Sequence, residues 1–273
     1  MRTDSHNSGP GGRGGLPLAL PGLVLRSIHT LYAGSAFILL ASLALLGMAV
    51  LPSLTARRRV ARFTGRTALT LAGMPVSASL PAHIPEPCIV VANHESYLDG
   101  IVLAATLPPR FAFVIKREVD GLPLAGWLLR RIGVQFVARG QRAGSARDAL
   151  RVLRQASRGQ SLAFFPEGTF RPEPGLMRFH TGAFAAAELA GAPVLPLAIF
   201  GTRRCLPPGG FLTRPGLLRV QALELLHAQG GTQDAAALRD AAHAAIAGAL
   251  AAGQGSATGN PEVPHDDTKG GPG

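Results

Sequence analysis

Cysteine and acidic residues are scarce in this chain of 273 residues, and each shortage excludes something. Two cysteines, Cys88 and Cys205, cannot build a disulfide framework or a cysteine-rich zinc site. Only 16 acidic residues stand against 27 lysines and arginines, which gives a formal net charge of +11 with histidine neutral. This excess favours an anionic partner: a nucleic acid, an anionic lipid or a phosphorylated substrate.

Charged and aromatic residues are also few, at 16% and 5% of the chain. Soluble domains usually carry ~25% charged residues, so the low content indicates that some apolar surface faces something other than water. One tryptophan and two tyrosines form no basic and aromatic stripe, which argues against nucleic-acid binding. The 47% of hydrophobic residues suffices for a core and excludes a disordered chain.

Several common catalytic signatures are missing or incomplete. Neither a dinucleotide-binding G-x-G-x-x-G after a strand nor a P-loop occurs. Residues 159–163 nearly match the nucleophile elbow of serine hydrolases, but Ala163 replaces the last glycine and Ser161 opens a strand. Zinc ligation by His94, His180 and a carboxylate lacks the usual ligand spacing, so we expect no metal and no organic cofactor.

An uncharged segment near the N-terminus predicts a membrane helix. Residues 31–54 carry no charge, and a helix up to Leu51 would extend ~31 Å, close to the ~30 Å of a bilayer core. Pro52 then ends or kinks the helix, and arginines follow from residue 57 onward. By the positive-inside bias, we expect the residues after this helix to lie on the cytoplasmic side of the cell inner membrane. A buried core helix and a signal peptide are the alternatives.

Composition divides the chain into four parts. Residues 1–25 and 253–273 are expected to be a disordered lead and a disordered tail, because they are rich in glycine, serine and proline. Residues 26–80 form the membrane anchor and a second helix, which lies at the interface or covers the core as an ordinary amphipathic helix. Residues 81–252 form the folded domain.

Within that domain, short apolar runs alternate with helical stretches. The expected strands are 88–92, 111–115, 133–137, 161–165, 194–200 and 218–223, and the expected helices are 145–158, 181–190 and 234–252. This alternation predicts an α/β fold with a mixed, largely parallel sheet flanked by helices and preceded by the N-terminal membrane helix.

The end of the strand at 88–92 carries a candidate acid–base pair. Asn93 and His94 follow the strand directly, and Asp99 comes five residues later, about one turn into the next helix. From there its carboxylate can hold the ring of His94 and leave the other ring nitrogen free as a general base. A helix cap formed by Asn93 or Ser96, with His94 merely packed, is the structural alternative.

Three further strand ends carry polar or basic residues. The turn Glu167, Gly168 and Thr169, next to Arg171, can meet a polar, partly anionic ligand or be a plain surface turn. Lys116 and Arg139 end strands that we expect to flank the His94 loop, so together they predict a phosphate-binding cradle.

Four blocks in order carry a family resemblance over about residues 87–202. The first block is Asn93–Asp99, which reads N-H-x-S-x-x-D, and the second covers residues 116–139. The third is Phe165–Thr169, which reads F-P-E-G-T, and the fourth is Val194–Leu197. The chain therefore resembles the glycerolipid acyltransferases, specifically the 1-acylglycerol-3-phosphate acyltransferases. It departs from their pattern twice: Ala138 stands where the family commonly has aspartate, and Phe170-Arg171 replaces the commoner Arg-Ser.

The resemblance implies a reaction. His94, oriented by Asp99, would deprotonate the free hydroxyl of lysophosphatidate, which then attacks an acyl thioester of coenzyme A or acyl carrier protein to give phosphatidate for phospholipid biosynthesis. The phosphoglycerol head would be held by the remaining site residues, Lys116, Arg139, Glu167, Gly168, Thr169 and Arg171. An anionic membrane surface is the expected partner. Another acceptor such as lyso-ornithine lipid, or a lipid-binding protein without catalysis, remains an alternative.

Overall fold

A computed structural model describes residues 19–138, 145–228 and 234–258. The strands in this part are β1 (Val76–Ser79), β2 (Ile89–Ala92), β3 (Ala112–Lys116), β4 (Gln135–Val137), β5 (Leu162–Phe164), β6 (Val194–Phe200) and β7 (Leu218–Ala222). The helices are α1 (Ala19–Val50), α2 (Leu54–Leu71), α3 (Leu98–Thr106), α4 (Ala125–Arg131), α5 (Ser145–Ser157), α6 (Gly182–Ala190), α7 (Thr202–Cys205) and α8 (Asp234–Thr258), with a 3-10 turn over Arg117–Gly121.

The strands form one sheet in the order β1-β7-β6-β2-β5-β3-β4. Only β6 and β7 pair antiparallel; every other neighbouring pair is parallel. The expected mixed, largely parallel sheet is therefore confirmed. The central strand β2 is buried along its whole length, as expected of a parallel strand covered on both faces.

Alternate residues of β2 face two separate apolar layers. Val90 packs with residues of α2 and α3, whereas Ile89 packs with residues of α5, α6 and α8. This arrangement follows from the two-residue period of a strand, which turns successive side chains to opposite faces. The sheet thus lies between two helical layers, and the carboxyl ends of its parallel strands lie side by side along the same end of the sheet.

The six expected strands are present, but the region before them differs from expectation. Residues 76–79 form the edge strand β1, so the helix expected over 60–80 ends at Leu71 in α2. Three of the four residues of β1 are exposed, which is why their sequence gave no apolar pattern. Helix α2 packs on α3 with Leu69 buried and so covers the core; whether it also lies at a membrane interface stays a prediction.

Both boundaries of the folded region also extend further than expected. Helix α1 begins at Ala19, inside the stretch expected to be a disordered lead, and α8 continues to Thr258, inside the expected tail. The expectation of disorder rested on the glycine, serine and proline content of these segments, yet a glycine within a helix costs only about 1 kcal/mol.

Helix α1 is fixed to the domain at two points. Near its start, His29 hydrogen-bonds with the Thr213 hydroxyl and the Ala72 carbonyl. At its end, the Arg131 guanidinium donates to the carbonyls of Met48 and Ala49. These points are about 29 Å apart along a helix, so this part of α1 lies alongside the domain. By length and composition α1 could cross a membrane, and most of its side chains are exposed.

Two of the arginines counted for the positive-inside bias bind backbone carbonyls. Arg57 donates to the carbonyl oxygens of Leu51 and Pro52, which follow α1, and Arg58 donates to those of Ile132 and Arg110. Cationic side chains are favoured at the carboxyl end of a helix because its last carbonyls have no partner within the helix. These arginines therefore hold the turn between α1 and α2 on the domain.

Gly201, at the end of β6, provides a test of the close approach between β6 and the chain before β7. An added Cβ would lie 2.3 Å from the Leu217 carbonyl oxygen, and Gly201 also has φ +89°. Gly201→Ala should therefore lower the thermal midpoint in detergent. Gly209→Ala is the matched control, since Gly209 has φ +71° with open space around it. Both variants carry the left-handed backbone cost of about 1–2 kcal/mol, and Gly201→Ala an overpacking cost of about 1–3 kcal/mol more. Equal losses would contradict the close approach.

Candidate active site

The site begins where β2 ends. Asn93 is buried, and its side-chain amide donates to the Ile199 carbonyl at 3.0 Å and accepts the Ile199 N–H at 2.7 Å. This pair of bonds copies a strand pairing and continues the contact between β2 and β6 beyond the last residue of β2. The following residue, His94, consequently leaves the sheet at a fixed point.

The carboxylate of Asp99 lies beneath the His94 loop. Its Oδ2 atom accepts from His94 Nδ1 at 2.8 Å and from the backbone N–H groups of Glu95 at 2.7 Å and Ser96 at 2.8 Å. Helix α3 starts at Leu98, so Asp99 lies in its first turn, where a negative charge is favoured. The contact that the sequence predicted between Asp99 and His94 is therefore present.

This contact determines which nitrogen of His94 carries a hydrogen. A carboxylate only accepts, so Nδ1 is protonated and Nε2 keeps its lone pair in the neutral ring. Asp99 is fully buried, while the His94 side chain is 18% exposed. The arrangement suits a general base: a buried acid holds one side of the ring, and the other nitrogen can meet a ligand.

Glu167 fixes the same loop from the next strand. Its Oε1 accepts the His94 N–H at 2.6 Å, and its Oε2 accepts the Met177 N–H at 2.8 Å. Burial raises the pKa of Glu167 to about 7, and the two N–H donors oppose this rise. The sequence placed Glu167 among the substrate-binding residues; its contacts in the structure are to the backbone of the catalytic loop.

Two aromatic rings contact His94 and a third contacts one of them, and the sequence pattern assigned none of the three a role. Phe165 stacks on the His94 ring with centroids 4.2 Å apart, and Phe170 meets it edge-on at 4.6 Å. Tyr97 in turn meets Phe170 edge-on at 4.8 Å. The available signal was Phe170 itself, because it stands at the position where the family commonly has arginine.

Arg203 is a further residue near His94 to which the sequence pattern assigned no role. It follows β6, and its guanidinium donates to the carbonyls of Arg171, Pro172 and Glu173, which fixes the loop after the Glu167 turn. Burial raises the pKa of Glu95, and the nearby charge of Arg203 opposes that rise. Arg203 therefore places positive charge beside the catalytic loop.

The expected phosphate cradle is arranged differently. The strands beside β2 are β5 and β6, so the prediction that Lys116 and Arg139 end strands flanking the His94 loop is wrong. Lys116 is exposed at the end of β3, two strands or about 10 Å sideways from β2. Arg139 lies outside the described residues. Whether these two residues bind phosphate stays a prediction.

The remaining predicted site residues lie in the turn after β5. Gly168 has φ +80°, and its N–H donates to the Phe165 carbonyl, which closes the turn. Thr169 is exposed, with its hydroxyl 3.4 Å from the Phe170 carbonyl, and Arg171 is exposed as well. Both side chains are accessible to a ligand, and their binding roles stay predictions.

An apolar cavity of about 430 Å³ adjoins this turn. Its wall includes Phe165, Pro166 and Gly168 from the turn, and apolar side chains of α5 and α6 form the far side. Because Phe165 also stacks on His94, the cavity and the base are separated by one ring. The serine proposed for a hydrolase elbow does not belong to the site: Ser161 is buried at the start of β5, and its hydroxyl accepts the Cys88 N–H.

Comparisons with known proteins agree with this geometry. Residues 76–200 match the family model described as Acyltransferase. A 1-acyl-sn-glycerol-3-phosphate acyltransferase from chloroplasts of Brassica napus is 33% identical over 123 residues, which are 45% of this chain and 36% of that protein. A lyso-ornithine lipid O-acyltransferase of Pseudomonas aeruginosa is 38% identical over 138 residues, or 50% of this chain and 52% of that one. Residues 76–200 are thus similar to the acyltransferase family.

A human 1-acyl-sn-glycerol-3-phosphate acyltransferase beta is 32% identical over 169 residues, covering 59% of this chain and 58% of the human protein. The matches thus span between 36% and 58% of the length of these relatives. The crystal structure of the Thermotoga maritima 1-acyl-sn-glycerophosphate acyltransferase PlsC superposes with a TM-score of 0.70 at 23% identity, over 84% of this chain and 98% of that one. This likeness confirms the fold.

Asp99→Asn tests how the ring of His94 is held. The amide oxygen can accept the same three N–H groups that Oδ2 accepts, but the amide carries no charge and so stabilises the imidazolium formed by proton transfer far less than the carboxylate does. We expect kcat to fall about 10²–10⁴-fold with little change in KM, measured as acyl transfer by full-length protein. Asp240→Asn, which alters an exposed pair with Arg239, is the control and should keep wild-type rates. A wild-type rate in Asp99→Asn would contradict the assignment.

Glu167→Gln tests the raised pKa by its effect on stability. The pKa of Glu167 rises from 4.5 to about 7 on folding, so the folded state binds the proton more tightly than the unfolded state. Stability must then fall as pH rises from about 4.5 to about 7, with an amplitude of about 3 kcal/mol. In thermal melts, the midpoint of the wild type minus that of Glu167→Gln should fall across this pH range and stay constant above it. An advantage that grows with pH would contradict the raised pKa.

Proposed function

We propose that this protein transfers a fatty acyl group from a thioester to the free hydroxyl of lysophosphatidate and so forms phosphatidate. The observation that carries the proposal is the 2.8 Å contact between His94 Nδ1 and buried Asp99, with Nε2 left as the base at the open side of the sheet. The names of the relatives support the substrate class.

The proposed reaction is one displacement. Nε2 of His94 takes the proton of the acceptor hydroxyl as its oxygen attacks the thioester carbonyl, and Asp99 stabilises the imidazolium that forms. The C–S bond then breaks, the ester remains, and the proton passes from His94 to the departing sulfur. A thioester is already activated, so the reaction needs neither a metal nor a covalent acyl-enzyme.

The cavity beside Phe165 suits the acyl chain of the donor. It is lined mainly by apolar side chains and is separated from His94 by the ring of Phe165, so we infer that a chain inside it would leave the thioester carbonyl near His94. Either acyl-CoA or acyl carrier protein fits this role, since each presents the same thioester and an anionic carrier to a basic protein.

Membrane association fits both the substrate and helix α1. The exposed apolar side chains of α1 form a surface that water does not solvate well. Because α1 is fixed to the domain near His29 and at Met48, we infer that it enters the membrane together with the adjoining face of the domain. The location at the cytoplasmic side of the inner membrane belongs to this proposal.

A second acceptor, lyso-ornithine lipid, is supported by two observations. The Pseudomonas aeruginosa relative carries that name and is 38% identical over the matched region. In addition, Phe170 places an aromatic edge beside His94 where the family commonly has a cation. Phenylalanine, unlike arginine, offers no charged group to bind an anion. An acceptor with a phosphate headgroup therefore gains less binding energy at this position.

The test is an acyl-transfer assay with purified full-length protein in lipid micelles. Lysophosphatidate and lyso-ornithine lipid are offered separately, each with labelled acyl-CoA and with labelled acyl carrier protein. We expect transfer to lysophosphatidate, and loss of about 10²–10⁴-fold in kcat for His94→Ala. His83→Ala removes an exposed histidine outside the site and should retain full activity.

The outcomes separate the proposals. Transfer only to lyso-ornithine lipid would replace the acceptor and keep the mechanism. Transfer that survives in His94→Ala would overturn the mechanism, and the absence of transfer to either acceptor would favour a lipid-binding protein without catalysis.

A further inference from the structure

The loop over residues 206–217, between α7 and β7, exposes large apolar side chains. Phe211 is 88% exposed and Leu217 is 73% exposed. Full burial of one such side chain is worth about 1.5–3 kcal/mol, so leaving two of them in water within one loop is costly. We refer to residues 206–217 as the apolar loop.

The apolar loop is held in a defined shape. The Arg214 N–H donates to the Cys205 carbonyl at 2.8 Å, and the Gly216 N–H donates to the Gly73 carbonyl at 3.0 Å. These bonds fix both ends of the segment that carries Phe211. The exposure of Phe211 is therefore a property of an ordered loop.

The same loop is joined to the apolar helix α1. The Thr213 N–H donates to the Thr30 hydroxyl at 2.9 Å, and the Thr213 hydroxyl hydrogen-bonds with His29 at 3.1 Å. On either side of this contact, α1 exposes Ile28 by 60% and Leu31 by 73%. Phe211 is two residues from Thr213 along the chain and therefore lies near this part of α1.

Exposed cations accompany these apolar side chains. Arg214 lies within the loop and Arg204 lies just before it, and both are exposed. Apolar side chains beside arginines suit the boundary of an anionic bilayer, where acyl chains receive the former and headgroup phosphates the latter. The net charge of +11 favours the same partner.

We propose that the apolar loop is a second membrane contact, in which Phe211 and Leu217 enter the boundary between headgroups and acyl chains, and Arg204 and Arg214 bind anionic headgroups. This proposal rests on the membrane association stated above and adds a contact outside the N-terminal helices.

The contact also bears on the active site. The first residue of the loop, Leu206, accepts with its carbonyl the Ser96 hydroxyl at 2.7 Å. Ser96 belongs to the turn that binds Asp99, so the loop and the His94 turn are directly joined. A loop inserted at the interface therefore brings the catalytic turn close to the lipid that carries the acceptor hydroxyl.

Tryptophan probes test the proposal in the full-length protein. Trp127, the single tryptophan of the chain, is first replaced by phenylalanine. Phe211→Trp, Leu31→Trp on α1 and Leu189→Trp on α6 are then introduced separately. Leu189 is 59% exposed but lies on α6, across the sheet from α2, and serves as the matched control. Each variant is mixed with vesicles of phosphatidylcholine and phosphatidylglycerol whose acyl chains carry bromine, which quenches nearby tryptophan.

We expect the probes at 211 and 31 to lose most of their emission and the probe at 189 to keep it. Quenching at 31 without quenching at 211 would overturn the loop contact and leave membrane association standing. No quenching at either position would overturn both, and equal quenching at 189 would overturn the loop contact because the insertion would not be local.

A binding measurement provides a second readout. Phe211→Ser should weaken partitioning into the same vesicles about tenfold, and Leu189→Ser should leave it unchanged. Unchanged partitioning of Phe211→Ser would contradict insertion of the loop. Both variants should retain the thermal midpoint of the wild type, since each side chain is exposed in the folded protein.

Discussion

One oxygen atom, Oδ2 of Asp99, organises the turn that carries His94. It collects the N–H groups of Glu95 and Ser96 and the ring nitrogen of His94, so backbone and base are fixed by the same charge. The carboxylate is buried, which strengthens each of these bonds, and three donors offset the cost of burying it. Glu167 adds a bond to the backbone of His94 from the neighbouring strand, and Asn93 adds two to β6. The base thus emerges from a turn fixed on both sides.

Contacts between near neighbours in sequence were predictable, whereas those across the sheet were not. His94 and Asp99 are five residues apart, so the end of β2 and the start of α3 are enough to bring them into contact. The bond from His94 to Glu167 joins residues 73 positions apart and depends on β5 lying next to β2, which strand patterns do not reveal. The same unknown order explains why Lys116 was placed beside His94. Strand β1 escaped prediction because an exposed edge strand has no apolar run.

The site combines two surroundings around one imidazole. On one side, buried carboxylates hold the turn; on the other, the rings of Phe165 and Phe170 pack against the imidazole, and Phe165 also lines an apolar cavity. A nearby apolar wall lowers the local dielectric, so the attraction between Asp99 and a protonated His94 is stronger than it would be in water. The same wall suits a fatty chain, and so one feature serves both the base and the proposed acyl donor.

In the proposed membrane-bound enzyme, the attachment of α1 at His29 and at Met48 has a geometric consequence for substrate choice. A helix that is free at one end could tilt and let the catalytic domain rise or sink relative to the lipid, whereas a helix fixed at two points keeps the base at a constant height above the acyl chains. Acceptors would then be sorted by how far their hydroxyl stands from the bilayer core, before any headgroup contact distinguishes them.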